Sequence, residues 1–440
     1  MKQIFDVIIV GAGASGLTAG IQAARQGAKV LILEHMEKAG KKLLATGNGK
    51  CNFTNQKQGI AYYRGKNPAF VLPAFQQFGL AETLQFFREL GVYAKVKRDG
   101  YYYPTSGQAS SLLETLLMEC RRLKVTILYE IGIRSMEQEQ GIFLFHTKQG
   151  VFRSRACILA TGGKAAKKTG SDGSGIPYIV GFGHKLTDIV PALVQLQGKP
   201  SFLKEVAGIR AEGVVELYIE KEKIAEDLGE LQLTAFGVSG IPVFQVSRYA
   251  AYGLLLKKTV SVRLNFLPDL SRRQVKELLE ERFFIYGEGK TAREALLGLL
   301  PDKLNGVLLK ESKILPEKRA KSCHRKELHR LASQIQSLQI EIIGTKGFDG
   351  AQVTAGGVDT DEVYPETMES RLVQGLFFSG EVLDIDGMCG GYNLQWAWTS
   401  GSVAGKAAAA YACSRKNNTT NPNLMKAGHL HHKISDEKER

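Results

Sequence analysis

The first 34 residues combine two apolar runs with one glycine-rich turn. Residues 3–10 are mostly apolar, which is typical of a strand buried in a parallel sheet, and they end at the turn Gly11-Ala-Gly-Ala-Ser-Gly16. The alanine-rich residues 17–26 predict a helix, and residues 29–33 predict a second strand that ends at Glu34. The pattern therefore predicts a strand–helix–strand unit at the start of an α/β fold.

The glycine spacing within this unit predicts a dinucleotide site. Gly11 allows the tight turn, Gly13 lets a pyrophosphate approach the backbone, and Gly16 allows helix and strand to pack closely. Ala14 and Ser15, within the same turn, are predicted to bind the cofactor just before the helix, whose free N–H groups favour an anion. The acid that ends the second strand lies 23 residues after the first glycine, where a ribose diol is bound.

Two later runs favour FAD over NAD. One apolar run ends in Ala-Thr161-Gly162, and a late run ends in Gly380-Glu381. In flavoproteins of the two-dinucleotide type, the first such strand passes the first nucleotide half, and the late Gly-Glu binds the ribityl chain. A simple NAD dehydrogenase does not need this C-terminal return.

A predicted helix follows the late run and extends to about Ala412. In the same flavoproteins its N-terminus points at a pyrimidine oxygen of the flavin. We therefore predict that its first residues contact the cofactor: Gly391, Tyr392, Asn393 and Leu394.

Two long motifs resemble the BaiN/RdsA family of bacterial FAD-dependent flavoproteins, namely KKLLATGNGKCNFTN at residues 41–55 and GGYNLQWAW at residues 390–398. The similarity extends from the N-terminus to about residue 412. It implies FAD binding and a Rossmann-like FAD-binding domain with an inserted small β-barrel and helical subdomain. Members of the family have been given two roles: reduction of a steroid-type substrate, and synthesis of dihydrouridine in large-subunit ribosomal RNA.

The pattern of apolar and polar residues changes along the chain and predicts where the inserted barrel and helical subdomain lie. Short alternating stretches such as residues 214–219 and 260–264 favour a barrel, and Leu, Lys, Glu and Arg at helical spacing follow them. The predicted boundaries are residues 1–190 and 347–412 for the FAD-binding domain, 191–270 for the barrel, 271–337 for the helical subdomain, 338–346 for a return strand of the barrel, and 413–440 for a disordered tail.

The charge of the chain points toward a polyanionic partner. The 58 Lys and Arg residues outnumber the 44 Asp and Glu residues, which gives a net charge of +14. Residues 301–330 alone hold nine basic and four acidic residues. Such an excess attracts polyanions, and the family resemblance implies that the expected polyanion is ribosomal RNA, whereas a solvated helix face is the alternative for this cluster.

Other classes of protein are disfavoured. No apolar run reaches the roughly 18 residues of a membrane span, and the N-terminus already serves as strand and helix rather than as a signal peptide. We therefore expect a cytoplasmic protein without membrane association.

The six cysteines form no Cys-x-x-Cys, and Cys323 with His324 and His329 falls short of a zinc site, so no metal is expected. The oligomeric state is left open.

Two cysteines are candidate proton donors. Cys51 follows a glycine-rich loop within the first family motif, and Cys389 precedes the Gly390-Gly391 turn. The alternative for Cys51 is a small residue packed beneath the flavin.

Other side chains near these motifs are candidates for contacts with the cofactor or substrate. Tyr101, Tyr102 and Tyr103 offer a stacking surface or a half-buried hairpin. Lys42, Asn48 and Lys50 are predicted to position phosphates.

Three functional hypotheses follow. The first is reduction of uridine to dihydrouridine in 23S ribosomal RNA, with NAD(P)H as transient electron donor. The second keeps the chemistry but uses a small enone or steroid-like substrate, because both acceptors need a hydride at one alkene carbon, a proton at the other, and stabilisation of an enolate. The third is a flavin-binding interaction protein.

Overall fold

A computed structural model describes residues 3–97 and 100–420. Among these, the residues up to Ile189 and from Gly356 onward form one compact unit, and Val190–Ala355 form a second. We call them the FAD unit and the inserted unit.

The first part of the FAD unit begins with the predicted strand–helix–strand pattern. Its strands are β1 (Ile4–Val10), β2 (Val30–Leu33), β3 (Thr54–Asn55), β4 (Tyr63–Arg64), β5 (Ala94–Val96), β6 (Tyr101–Pro104), β7 (Thr126–Leu128), β8 (Ile133–Glu139), β9 (Ile142–Thr147) and β10 (Gly150–Leu159). Its helices are α1 (Ala14–Arg25), α2 (Lys41–Ala45), α3 (Val71–Gln77), α4 (Leu80–Glu89), α5 (Ala109–Arg122) and α6 (Ile176–Gly181).

The inserted unit contains the strands of a barrel and a set of helices. Its strands are β11 (Val190–Ala192), β12 (Leu196–Gly198), β13 (Arg210–Ile219), β14 (Glu222–Thr234), β15 (Gly237–Ser239), β16 (Val260–Asn265), β17 (Leu338–Thr345) and β18 (Val353–Ala355). Its helices are α7 (Ile241–Leu255), α8 (Arg272–Glu280), α9 (Ala292–Leu296), α10 (Asp302–Glu311), α11 (Arg325–Gln336) and α12 (Gly347–Gly350).

The chain then returns to the FAD unit through β19 (Leu376–Phe378), β20 (Asp386–Gly387) and α13 (Tyr392–Thr420). This return occurs at Gly356 rather than at the predicted residue 347, because α12 and β18 intervene and β18 pairs with β11. Helix α13 also passes the predicted end at Ala412, since no glycine or proline interrupts residues 406–420. Of the predicted disordered tail, residues 421–440 lie outside the described residues.

A seven-stranded sheet forms the centre of the FAD unit, in the order β7-β2-β1-β10-β9-β8, with β19 also pairing with β10. The pairs β7–β2, β2–β1, β1–β10 and β10–β19 are parallel. In β1 every residue after Ile4 is buried, which explains why this strand is a continuous apolar run.

The inserted unit confirms the predicted barrel. Its strands close in the order β12-β15-β14-β13-β16-β17, so the return strand β17 joins β16 and β12 after the helical segment. Together with the central sheet of the FAD unit, this confirms the predicted class, an α/β fold with a Rossmann-like parallel sheet and an inserted small β-barrel.

Helices α1 and α13 approach each other closely within the FAD unit. A Cβ atom at Gly401 would lie 2.4 Å from the Ser15 carbonyl oxygen, and one at Gly405 would lie 2.4 Å from the Ala19 carbonyl oxygen. These two glycines let the last helix pack directly on the helix that follows the glycine-rich turn. None of the helices within residues 3–97 and 100–420 is long and apolar enough to cross a bilayer.

Candidate functional site

Four parallel strands bring the predicted cofactor residues to one edge of the central sheet. Gly11 follows β1, Glu34 follows β2, Thr161 follows β10, and Gly380 follows β19. Because these strands are parallel, their carboxyl ends lie on the same side, which is where α/β sheets bind their ligands.

The packing of the protein itself requires two of the glycines in the first turn. Gly11 has a φ of +105°, and a Cβ atom there would lie 2.5 Å from the Ala160 carbonyl oxygen. A Cβ atom at Gly16 would lie 2.0 Å from the Gly11 carbonyl oxygen. Any side chain at either position therefore collides with backbone.

Gly13 has no such internal reason to be glycine. Its φ of −82° and ψ of −169° suit any residue, and no atom of the described residues lies within 4 Å of the position that a Cβ would occupy. Gly13 is also the N-cap of α1, so the free N–H groups of this helix face the same place. A pyrophosphate against the backbone explains the glycine, and the turn thus fits FAD.

Glu34 holds the turn in place from the neighbouring strand. Its Oε2 accepts a hydrogen bond from the Ala12 N–H at 2.7 Å, and its Oε1 accepts one from the Met36 N–H at 2.7 Å. His35 Nδ1 also lies 3.3 Å from Oε1, and since a carboxylate oxygen has two lone pairs, Oε2 keeps capacity for a ribose hydroxyl. Glu34 would hold the adenosine ribose of FAD while it fixes the position of the turn.

The late Gly-Glu segment contacts the start of α1. Gly380 has a φ of +76°, and a Cβ atom there would lie 2.6 Å from Ser15 Oγ. The Ser15 hydroxyl also donates to the Ser379 carbonyl oxygen at 3.4 Å. The Gly380-Glu381 segment, which would hold the ribityl chain, therefore packs onto the first turn of α1, which would hold the phosphates. Ala14 is the first residue of that helix.

Lys42 and Glu381 form an ion pair, although the sequence predicted separate roles for them. The Lys42 Nζ lies 2.7 Å from a Glu381 carboxylate oxygen and 3.4 Å from Ser171 Oγ. Both side chains are partly buried. The carboxylate of Glu381 therefore balances the positive charge of Lys42. The pair offers a ligand one hydrogen-bond donor and one acceptor in fixed positions instead of a single cation.

Thr161 and Gly162 pack against the glycine-rich loop that follows them. A Cβ atom at Gly175 would lie 2.1 Å from Thr161 Oγ1, and Gly162 has a φ of +70° beside Ser171. Ser171 therefore contacts both this segment and Lys42. Ser171 is not identifiable from the sequence, because nothing local distinguishes it from other serines in a glycine-rich loop.

The side chain of Asn393 closes a turn instead of facing outward. Its Oδ1 accepts from the Gly387 N–H at 2.8 Å, and its Nδ2 donates to the Gly387 carbonyl oxygen at 2.8 Å. The side-chain amide of Asn393 is therefore engaged within the protein. What Asn393 offers a cofactor is instead its backbone N–H in the first turn of α13, together with those of Gly391 and Leu394.

Tyr392 is likewise turned into the protein. Its ring is only 4% exposed and stacks on Tyr62, with ring centroids 4.7 Å apart and planes within 5° of parallel. Tyr63 meets the same ring edge-on. No sequence signal points to Tyr62, because the stack joins residues that lie far apart along the chain.

The loop before Cys51 has an unusual backbone. Gly47, Asn48, Gly49 and Cys51 all have positive φ, which is uncommon for Asn and Cys. Asn48 is exposed, so its side chain can reach a ligand outside the loop. Cys51 is fully buried, and this burial raises the pKa of its thiol to about 12 against the opposing effect of a hydrogen bond with Thr46.

Cys389 and Tyr103 lie near Cys51 but are more accessible. Both side chains are half-buried. Burial raises the pKa of Tyr103, and the nearby Cys389 and Cys51 thiols add to the effect. The structure therefore brings both candidate cysteines to one tyrosine, and it leaves only Cys389 of the two within reach of solvent.

The basic cluster of residues 301–330 is partly paired with acids. Lys310 lies 2.5 Å from Glu205, Lys318 lies 2.8 Å from Glu327, and further ion pairs join Lys321 to Glu288 and Arg325 to Glu280. Four of its nine basic residues thus contact an acid. In the described part of the chain, no three His, Cys, Asp or Glu residues are grouped to hold a metal ion.

Comparison with known proteins finds relatives along nearly the whole chain. A 3-dehydro-bile acid delta(4,6)-reductase of Clostridium scindens is 45% identical over 406 residues, which cover 91% of this chain and 98% of the relative. A ribosomal RNA dihydrouridine synthase of Haemophilus influenzae is 30% identical, with 94% and 98% coverage, and that of Escherichia coli is 29% identical, with 93% and 97% coverage.

Among solved structures, a flavocytochrome c3 fumarate reductase matches 93% of this chain and 79% of its own, at a TM-score of 0.49 and 15% identity. The family model described as HI0933-like protein Rossmann domain matches residues 5–407. The resemblance seen in the sequence motifs is thereby confirmed. The chain belongs to the HI0933-like Rossmann-domain family of FAD-binding proteins and is an FAD-dependent oxidoreductase.

Proposed function

We propose that this protein uses FAD to reduce a carbon–carbon double bond conjugated to a carbonyl group, and that its substrate is a small 3-oxo diene of the bile acid type. The observation that carries the proposal is the 45% identity to the bile acid reductase over 98% of that relative. NADH or NADPH is the proposed electron donor, visiting the cofactor transiently.

The residues of the site suit this chemistry. Bound FAD, once reduced, supplies the hydride. The backbone at Gly13 and the start of α1 would hold its pyrophosphate, Glu34 its ribose, and the first turn of α13 its pyrimidine edge. Half-buried hydroxyl and thiol groups near the Cys51 loop supply a proton and stabilise the negative charge that develops on the carbonyl oxygen.

The second candidate is uridine in 23S ribosomal RNA, whose C5=C6 bond is conjugated to the C4 carbonyl. The net charge of +14 favours it, as do the two dihydrouridine synthases that are 30% and 29% identical. We rank it second because of these lower identities and because acids already pair four cations of the 301–330 cluster.

A direct competition between acceptors tests the proposal. The purified holoenzyme is reduced anaerobically and mixed with a 3-oxo-4,6-diene bile acid or with 23S ribosomal RNA that lacks dihydrouridine. The reoxidation of the flavin is followed by absorbance, and the product is identified by mass spectrometry. Titration with NADH and NADPH beforehand identifies the donor.

Fast reoxidation by the dienone with formation of the reduced steroid supports the proposal. Reoxidation by RNA alone, with dihydrouridine in the digest, would replace it by the second candidate. If neither acceptor reacts while NAD(P)H still reduces the flavin, both are wrong, and the protein is better explained as a flavin-binding interaction protein.

A further inference from the structure

The middle strand of the three-stranded sheet β3-β6-β5 presents two tyrosines on one face. Side chains alternate along a strand, so Tyr101 and Tyr103 share a face and Tyr102 takes the other. Tyr102 approaches Phe53, with the ring centroids 6.5 Å apart. Tyr101 lies beside Gly390, and Tyr103 lies beside Gly47. The face shared by Tyr101 and Tyr103 therefore meets the Cys51 loop and the turn before α13.

Tyr103 lies at the meeting point of these two segments. A Cβ atom at Gly47 would lie 3.5 Å from its ring, and the thiols of Cys51 and Cys389 both act electrostatically on its hydroxyl. Gly47 and Cys51 belong to the first family motif, and Cys389 directly precedes the second. Tyr103 thus lies beside the first family motif and near the residue that precedes the second.

A proton donor must hold its proton at neutral pH and reach the substrate. Cys51 fails the second condition, because none of its surface is exposed. Tyr103 is half-buried, and within residues 3–97 and 100–420 no group hydrogen-bonds its hydroxyl. The Lys97 Nζ lies 4.5 Å from the centroid of the ring. A cation at that distance stabilises the phenolate that remains after proton transfer.

We propose that Tyr103 is the catalytic proton donor of the reduction, in place of Cys51. This inference rests on the proposed function. The β carbon of the conjugated alkene receives a hydride from the reduced cofactor, and the α carbon receives the proton of the Tyr103 hydroxyl. The carbon–carbon double bond becomes a single bond, the cofactor is oxidised by two electrons, and the phenolate regains a proton from water.

Exchange of hydrogen for deuterium isolates the role of the proton donor. The same group that protonates the α carbon removes that proton in the reverse direction. The reduced holoenzyme is incubated in D2O with the saturated 3-oxo bile acid. No net redox reaction is possible in this mixture, so the deuterium found at the α carbon by mass spectrometry reports only proton transfer. Multiple turnover with the dienone is measured in parallel.

Tyr103→Phe keeps the ring against Gly47 and Lys97 and removes only the hydroxyl, and Tyr93→Phe at an exposed tyrosine just before β5 is the matched control. We expect exchange to slow by roughly 10²–10⁴-fold in Tyr103→Phe. Tyr93→Phe should exchange as the wild type does, and Cys51→Ala should retain most of the exchange. Flavin content and thermal melting of each variant verify the fold, and Tyr103→His, which restores a proton on a ring, should recover part of the loss.

The outcomes separate this inference from the proposed function. If Tyr103→Phe exchanges deuterium and turns over the dienone at the wild-type rates, the assignment of Tyr103 is refuted and the proposed function stays intact. If Cys51→Ala or Tyr101→Phe loses the deuterium exchange while Tyr103→Phe keeps it, the assignment of Tyr103 is also refuted, and the residue whose variant lost the exchange is identified as the donor. A wild-type enzyme that neither turns over nor exchanges would refute the proposed function and this inference with it.

Discussion

Gly13→Ala should separate cofactor binding from folding. Gly11, Gly13 and Gly16 belong to one motif, but the structure gives them different reasons to be glycine. A Cβ at Gly16 meets backbone at 2.0 Å, whereas a Cβ at Gly13 meets no atom of the described residues within 4 Å. We therefore expect the alanine variants at positions 13 and 16 to fail in different ways.

The magnitudes follow from these surroundings. At position 13, alanine restricts the unfolded chain, which stabilises the fold by about 0.4–1 kcal/mol. Alanine is a poorer N-cap than glycine by roughly 0.5–1 kcal/mol, so the two effects offset each other. A methyl group pressed against a bound phosphate costs about 1–3 kcal/mol, as overpacking does elsewhere. The Kd for FAD should then rise by about 5- to 150-fold.

The assay compares apoproteins first and FAD binding second. Chemical unfolding of the apoproteins should give Gly13→Ala within about 1 kcal/mol of the wild type and Gly16→Ala lower by about 1–3 kcal/mol or more. Quenching of flavin fluorescence on titration then gives the Kd of each variant that folds. If Gly13→Ala binds FAD as tightly as the wild type, the space beside Gly13 is not where the pyrophosphate lies. If its apoprotein is as unstable as Gly16→Ala, the geometry of the turn has been misjudged.

Three further predictions concern other parts of the FAD unit. Burial lowers the pKa of His184 in the folded protein. Below about pH 6.5 the unfolded chain therefore binds a proton at this histidine more readily than the folded chain does, so the free energy of unfolding falls as the pH falls. His184→Gln should flatten this decline in melts between about pH 7 and 5, and an unchanged slope would contradict the assignment. A thiol reagent should label the exposed Cys413 in the native apoprotein and leave the buried Cys51 unmodified until the protein unfolds. Peptide mapping would show which cysteine is labelled, and rapid labelling of Cys51 would mean that its loop opens. A double-mutant cycle of Lys42→Met and Glu381→Gln should give a coupling of about 1 kcal/mol in the unfolding of the apoprotein, and additive effects would argue against their ion pair.

The sequence alone determined the start of the FAD unit and the class of the fold. The β1–α1–β2 unit is encoded locally, because an apolar run, a turn that needs glycine at positions 11 and 16, and an alanine-rich helix each depend on near neighbours. The barrel was also foreseeable, since alternation along β13 and β16 reports one buried face. The parallel order of the strands then places Glu34 and Gly380 at one edge.

The tertiary structure decided which side chains of the site are available. The sequence makes Cys51 a candidate proton donor and Asn393 a predicted contact of the cofactor. In the fold, Cys51 is fully buried, and the Asn393 amide is taken up by Gly387. Local pattern does not report either fact, because both depend on how the loop and the turn are packed.

Other features depend on partners far apart in the chain. The ion pair of Lys42 with Glu381 and the stack of Tyr62 on Tyr392 join the N-terminal part of the FAD unit to its C-terminal return. Burial and hydrogen bonding are set by all the residues that meet at a point, whereas a sequence motif records only one segment of them. The motifs therefore identified the cofactor and the edge of the sheet that would bind it, and the three-dimensional packing decided which of their side chains remain free to act.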